Sequence, residues 1–187
     1  MKNYQTTQWL HKFMEEQIQA GDLCIDATMG NGNDTAFLSD LVGKTGKILA
    51  FDIQEQALVQ TKNKLRENGC PDNVHLLLES HERMGEYAEA GSVSCIVFNF
   101  GYLPGGDHKK ATKAASSLRA VETGLRLLKQ GGLMTLCIYS GGDSGFEEKE
   151  ALLQYIRTLP SGEFLVLETR YANRPGNPPI PVLIIRL

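Results

Sequence analysis

The stretch Leu23-Cys-Ile-Asp-Ala-Thr-Met-Gly-Asn-Gly-Asn-Asp-Thr35 decides the fold, because an apolar run ends in an acid and then turns through two glycines. Ala-Phe-Leu follows at 36–38, so the pattern predicts a buried strand, a loop and a helix, with a ligand beyond the carboxyl end of the strand. Gly30 and Gly32 allow backbone angles and a close approach that a side chain would block. Asn31, Asn33 and Asp34 are expected to supply polar contacts and a helix cap. We therefore expect a cofactor at this loop.

The spacing of the loop indicates which cofactor. A dinucleotide site has the pattern G-x-G-x-x-G, whereas here Gly30-x-Gly32-x-Asp34 lacks the third glycine. Asp26 and Asp34 would repel a pyrophosphate, since like charges in contact near a surface cost on the order of 4 kcal/mol. They suit an ammonium or a sulfonium, and S-adenosylmethionine (SAM) has both, so we predict SAM and no metal. The predicted contacts in this loop are Asp26, Thr28, Gly30, Asn31, Gly32, Asn33, Asp34 and Thr35.

Two further strand ends complete the predicted cofactor site. Residues 47–53 read as a short strand ending in Asp52, roughly 20 residues past the glycine loop, where a carboxylate usually holds a ribose hydroxyl pair. Alternatively, Asp52 only caps the helix that starts at Gln54, itself a predicted contact. The next strand, 74–78, leads to Ser80 and His81, which could contact the adenine ring or their own backbone.

Length and composition are typical of a single domain with a sizeable core. The chain has 187 residues, 42% of them hydrophobic, and is most simply one domain over 1–187. A net charge of −3 gives no global basic field, which weakens a nucleic-acid assignment without excluding it, because local patches matter more. Three of the four cysteines, at 24, 95 and 137, lie in strand-like runs and are expected in the core. Without a signal peptide or an apolar run approaching 18 residues, a cytoplasmic protein with no membrane contact is expected.

Strands and helices alternate along the whole chain. Helices are predicted at 4–20, 34–42, 54–68 and 112–129, with another ending near 159, and strands at 94–100 and 132–139. The segments 163–171 and 180–187 read as a closing hairpin. The pattern predicts one sheet with helices on both faces. The first helix, within residues 1–20, is expected to cover the sheet edge, with a start that closes over the cofactor as the alternative.

The end of the fourth strand carries the predicted chemistry. Asn99, also a predicted cofactor contact, offers a carbonyl acceptor that can hold an attacking nitrogen by its hydrogens, and Tyr102 offers a flat face for a base. Methyl transfer from a sulfonium needs little acid–base help on the leaving side, so alignment can supply most of the catalysis. Beyond this strand a cationic rim for phosphates is expected, unless these residues are simply a solvated helix face. The predicted RNA contacts are Lys109, Lys110, Lys113, Arg119, Tyr139, Asn173 and Arg174.

Together, the glycine loop, Asp52 and the segment Asn99-Phe-Gly-Tyr-Leu-Pro-Gly-Gly-Asp107 resemble class I SAM-dependent methyltransferases. More narrowly, this segment and the closing Asn173-Arg174-Pro175 resemble the small bacterial family called "putative rRNA methylase", whose better-defined members are MnmM-type tRNA wobble-uridine methyltransferases. The resemblance implies a Rossmann-like, mostly parallel seven-stranded sheet with an antiparallel last strand, and a homodimer. It also implies methylation of 5-aminomethyl-2-thiouridine in the tRNA anticodon stem-loop, giving the 5-methylaminomethyl form.

That substrate must lose a proton before it reacts, since an alkylammonium has no lone pair. With lysine's pKa as an upper bound, deprotonation at neutral pH costs up to roughly 4.6 kcal/mol. Asp107 or His108 could accept the proton, directly or through water.

Three other functions remain open at this stage. The first is a methyltransferase acting on ribosomal RNA or a small molecule, and the second is an NAD-dependent oxidoreductase, which Asp26 and the absent third glycine disfavour. The third is a SAM-binding module without catalysis, which the intact Asn99 segment disfavours.

Overall fold

The computed structural model describes residues 5–101, 114–139 and 145–187, and these form one sheet covered by helices. The helices are α1 (Thr6–Gln17), α2 (Asn33–Val42), α3 (Glu55–Glu67), α4 (Ala114–Leu127) and α5 (Gly145–Ile156). The strands are β1 (Leu23–Asp26), β2 (Lys47–Asp52), β3 (Val74–Leu78), β4 (Val93–Phe100), β5 (Leu128–Ile138), β6 (Phe164–Glu168) and β7 (Ile180–Arg186). A 3₁₀ helix (His81–Glu86) follows β3.

The sheet has seven strands in the order β3-β2-β1-β4-β5-β7-β6. The first five strands in this order are parallel, whereas β7 runs antiparallel to both β5 and β6. The predicted Rossmann-like sheet with an antiparallel last strand is therefore confirmed. In this order the carboxyl ends of β1, β2 and β4 lie side by side, which is where a doubly wound sheet opens a crevice for a ligand.

Alternating residues of the strands divide the core between the two faces. In β4, Cys95 and Val97 pack with α1 and α2, while Ile96 and Phe98 pack with α4 and α5. The same alternation places Asn99 on the face of α1 and α2, one residue before the strand ends. Helix α1 packs across β5 and β7, next to the β6 edge strand.

The boundary between α4 and β5 differs from the prediction. The helix was expected to reach 129 and the strand to begin at 132, but α4 ends at Leu127 and β5 begins at Leu128. Leu128 pairs with Val93, and the register then shifts so that Leu133 pairs with Cys95. The glycines that suggested a turn are therefore part of an irregularity within the strand, as glycines in strands often are.

Candidate active site

Asp26 fixes the loop that follows β1. Its side chain is completely buried, one oxygen accepts a hydrogen bond from the Thr28 amide at 3.1 Å, and the other accepts from the Thr35 hydroxyl at 2.6 Å. Burial, together with the charge of Asp34, raises the pKa of Asp26 to about 7. Asp26 thus shapes the loop from within, and direct contact with a cofactor remains a prediction.

Both glycines of the loop are needed for its turn, and Gly32 is needed for close packing as well. Both adopt positive φ, at 48° for Gly30 and 76° for Gly32, as a tight turn requires. At Gly32 a Cβ atom would also lie 2.8 Å from the Cα of Thr61 in α3. The hydroxyl of Thr61 donates to the Gly30 carbonyl at 3.2 Å. The loop is therefore packed tightly against α3, and Gly32 serves that packing as well as the turn.

The expected side-chain cap at the start of α2 is wrong. The N-cap position is Gly32, and no side chain caps the helix there. Asn31 is half-buried and Asn33 is exposed, while Asp34 bonds to residues of other elements. A glycine takes the capping position because the turn needs its left-handed conformation.

Asp52 lies at the end of β2 and supports the loop from the other side. One carboxylate oxygen accepts from the Gln54 amide at 2.9 Å and the other from the Gly30 amide at 3.1 Å. Burial raises the pKa of Asp52, and these hydrogen bonds oppose the shift. Gln54, and not Asp52, is the N-cap of α3. Since each carboxylate oxygen has more than one acceptor direction, the half-buried Asp52 can still accept ribose hydroxyls.

The segment after β3 contains an acceptor without a partner. Ser80 accepts from the Glu82 amide at 3.3 Å and so caps the 3₁₀ helix, the local role considered for it. His81 Nδ1 lies 3.3 Å from the Ala27 carbonyl, so Nδ1 carries the proton and Nε2 is an acceptor. Among the described residues, His81 Nε2 is buried without a hydrogen-bond partner, and burial lowers the pKa of His81. His81 Nε2 is thus a neutral acceptor in the predicted adenine region, and its contact with the adenine ring remains a prediction.

Asn99 is held at both its main chain and its side chain. Its amide donates to the Thr28 hydroxyl at 2.8 Å, and its Nδ2 donates to Asp34 Oδ2 at 2.6 Å. An ionised carboxylate only accepts hydrogen bonds, so the amide nitrogen of Asn99 must face Asp34. The Asn99 carbonyl oxygen is therefore directed away from Asp34 and remains an acceptor.

His11, which the sequence analysis did not identify, lies on α1 and contacts Asp34. Its Nε2 lies 2.6 Å from Asp34 Oδ1, and its ring stacks on Phe37 with centroids 3.8 Å apart and planes 6° apart. Only apolar residues were used to identify α1, so a histidine beside the apolar stripe gave no signal. Helix α1 thus reaches Asp34 from its second turn, and closure of its start over the cofactor remains a prediction.

The predicted RNA contacts that the structure describes lie on several elements. Tyr139 is 40% exposed and lies against Gly101, and burial of the rest of its ring raises the pKa of its hydroxyl. Arg119 pairs with Glu82 at 2.5 Å. Arg174 is exposed with its guanidinium 5.8 Å from the centroid of the Tyr171 ring. Asn173 is exposed beside it.

Several predicted residues lie outside the part of the chain that the structure describes. They are Tyr102, Asp107, His108, Lys109, Lys110 and Lys113. Within residues 5–101, 114–139 and 145–187, no group of three or more His, Cys, Asp or Glu side chains could hold a metal ion. No helix in these same ranges is long and apolar enough to cross a bilayer. All four cysteines are free, and those at 24, 95 and 137 are buried as expected.

Comparison with known proteins places this geometry in a family. A family model described as "Putative rRNA methylase" matches residues 48–185. The "tRNA (mnm(5)s(2)U34)-methyltransferase, chloroplastic" of Arabidopsis thaliana is 37% identical over 184 residues, covering 92% of this chain. The chain spans 66% of that protein's length.

Two crystal structures are similar over the full chain. The "putative rRNA-methylase" of Clostridium thermocellum is 38% identical with a TM-score of 0.95, and covers 100% of both chains. A "putative methyltransferase" from Streptococcus mutans, crystallised in complex with SAH, is 35% identical with a TM-score of 0.89, again covering 100% of both chains.

Proposed function

The chain belongs to the "Putative rRNA methylase" family of class I SAM-dependent methyltransferases, and on this premise we propose that it methylates tRNA. The proposed acceptor is the primary amine of 5-aminomethyl-2-thiouridine at the wobble position, which becomes the 5-methylaminomethyl form. The name of the Arabidopsis relative supports this substrate. The S. mutans complex with SAH, the product of SAM after methyl transfer, supports the cofactor.

One contact carries the proposal, the 2.6 Å hydrogen bond from Asn99 Nδ2 to Asp34. Because this bond directs the Asn99 carbonyl oxygen away from Asp34, the oxygen is left to accept a hydrogen bond, and it suits a nucleophile that still has hydrogens to donate. A primary amine has two such hydrogens, so one can bond to Asn99 while the nitrogen lone pair points at the methyl group. Holding the reacting atoms in this geometry lowers the activation barrier for methyl transfer without a strong acid or base.

When bound, SAM supplies an electrophilic methyl group on a positively charged sulfur. The chain's own contribution at this end is to hold the nucleoside. Asp52 offers acceptors for ribose hydroxyls, and the buried Nε2 of His81 offers one for the adenine amine. The loop between Gly30 and Gly32 is held closed by Asp26 and Thr61, so its position is fixed before binding.

The amine reacts only after losing a proton. Its deprotonation at pH 7 costs at most roughly 4.6 kcal/mol, and a site that removes it from water lowers this. We propose that Asp107 or His108 accepts this proton from the amine, directly or through water. Tyr102 and Tyr139 are proposed to stack against the base, and Lys109, Lys110, Lys113, Arg119, Asn173 and Arg174 to contact phosphates.

The test uses the substrate that lacks only the last methyl group. Mass spectrometry of wobble nucleosides from a strain without this gene is expected to show 5-aminomethyl-2-thiouridine in place of the methylated form. Purified enzyme with radiolabelled SAM is expected to restore the methyl group on that strain's tRNA. Ribosomal RNA from the same strain serves as the competing substrate, because the description of the family model favours it. Labelling of ribosomal RNA alone would refute the tRNA assignment.

A further inference from the structure

We propose that His11 is a positioning residue for methyl transfer, acting through Asp34 to orient Asn99. This inference rests on the proposed function, because it names the group that fixes the acceptor for the substrate amine. It changes the role of Asp34, which was predicted to bind the cofactor. It also assigns a role to α1, which precedes the first strand of the sheet.

Asp34 joins two side chains that lie far apart in the sequence. Its Oδ1 lies 2.6 Å from His11 Nε2 and its Oδ2 lies 2.6 Å from Asn99 Nδ2. The two partners are 23 and 65 residues away along the chain, so only the fold brings them together. With both oxygens engaged and 8% of the residue exposed, Asp34 has little surface left for a ligand. Asp52 differs, since its partners are backbone amides and its side chain is only half-buried.

The ring of His11 is fixed in two ways. It stacks on Phe37, which lies three residues after Asp34 and so on the same side of α2. With the planes 6° apart, the stack sets the plane of the imidazole, and the bond to Asp34 sets its rotation. An ionised Asp34 only accepts, so His11 Nε2 donates to it. Asp34 is thereby held on one side by His11 and can hold Asn99 on the other.

Because His11 fixes Asp34, it also fixes the direction of the Asn99 side-chain carbonyl. If Asp34 were free to rotate, the Asn99 amide could turn over and present its nitrogen to the substrate, which is itself a donor. A donor facing a donor makes no hydrogen bond, and the attacking nitrogen loses its alignment. His11 prevents this without touching the substrate or SAM.

The experiment compares His11→Phe with His11→Gln. Phenylalanine keeps an aromatic ring to stack on Phe37 but removes the donor, whereas glutamine restores a donor nitrogen at a similar distance from the main chain. Single-turnover methyl transfer to tRNA lacking the final methyl is expected to fall about tenfold in His11→Phe, as for loss of one hydrogen bond to a charged group. In His11→Gln it is expected to stay within about threefold of the wild type on the same grounds. SAM affinity by calorimetry is expected to stay unchanged in both.

A second measurement needs no substrate. The side-chain amide signals of Asn99, identified by their loss in Asn99→Ala, can be followed by ¹⁵N NMR. These protons are expected to exchange with solvent faster in His11→Phe than in the wild type and His11→Gln. Unchanged exchange in His11→Phe would overturn the proposal, as would a loss of SAM affinity matching its loss of rate. A wild-type enzyme inactive on tRNA would instead refute the proposed function, and the NMR comparison would still decide the role of His11.

Discussion

Replacing Asn99 by alanine is expected to abolish most of the turnover while leaving SAM binding nearly intact. The main-chain amide of Asn99 donates to the Thr28 hydroxyl, and that bond survives the substitution. The lost side chain takes away the bond to Asp34 and the acceptor for the substrate amine. Neither of these groups is among the proposed contacts to the nucleoside at Asp52 and His81.

The expected fall in the rate of methyl transfer can be calculated from the positive charge that develops on the substrate nitrogen. As the amine takes up the methyl group, its remaining hydrogens become those of a cation, and a hydrogen bond to a charged group contributes about 1.5–3 kcal/mol. Each 1.36 kcal/mol is a factor of ten in rate, so the rate should fall by about 10- to 150-fold from this bond alone. The substrate amine also loses its alignment when the Asn99 side chain is removed, which lowers the rate further. Asp34 is then left without a partner at Oδ2.

The assay pairs single-turnover transfer from radiolabelled SAM with calorimetry of SAM binding. Asn68→Ala is a matched control, since Asn68 is an exposed asparagine at the end of α3. It should leave both quantities unchanged. Thermal unfolding of each variant shows that the fold persists. If Asn99→Ala lost SAM affinity tenfold or more, or kept the wild-type rate, the role assigned to Asn99 would be refuted.

Three further predictions concern the cofactor loop. Asp52→Asn should weaken SAM binding about 10- to 100-fold by calorimetry, because one oxygen cannot accept from both backbone amides and the ribose as the carboxylate does. Gly32→Ala should lower the free energy of unfolding by about 1–3 kcal/mol in urea titrations, since φ is 76° and the new Cβ would meet Thr61 at 2.8 Å. The pKa of Asp26 is raised to about 7 in the folded protein, so its contribution to stability is fully present below about pH 4 and is lost as the pH rises through 7. Asp26→Asn should remove this decline between pH 4 and 7 from the curve of unfolding free energy against pH, and an unchanged slope would contradict the assignment.

The strands and the closing hairpin could be predicted from the sequence because their signals are local, whereas the seven-stranded sheet with an antiparallel last strand was implied by the family resemblance. Each predicted strand is a short apolar run bounded by turn residues; Asp26 and Asp52 end β1 and β2, and Asn99 lies one residue before the end of β4. Parallel neighbours bring such ends together, so the sequence predicts that these three side chains share one crevice. The predicted boundary between α4 and β5 was wrong: β5 begins at Leu128, and Gly131 and Gly132 lie within the strand, at the register shift between the pairs Val93–Leu128 and Cys95–Leu133.

The rest of the site depends on contacts between distant residues. Asp26 reads as a ligand-facing acid, yet Thr28 and Thr35 close over it, and nothing in its spacing reveals that it is fully buried. His11 was missed for a related reason. Which face of α1 meets α2 depends on how the helix packs across β5 and β7, and helical periodicity identifies an apolar stripe without saying what lies beside it.

The arrangement around Asp34 also bears on the choice of nucleophile. A site whose acceptor is a fixed carbonyl oxygen rejects a nucleophile without hydrogens, because two acceptors then face each other and a buried polar group is left unpaired, at a cost of about 1–3 kcal/mol. A carbon nucleophile such as an enolate has no hydrogen to offer Asn99 at the reacting atom, so it gains nothing from this contact. A neutral primary amine gains one bond in the ground state and a stronger one as positive charge develops on nitrogen. The proposed orientation of Asn99 by Asp34 thus favours N-methylation by differential stabilisation of the transition state.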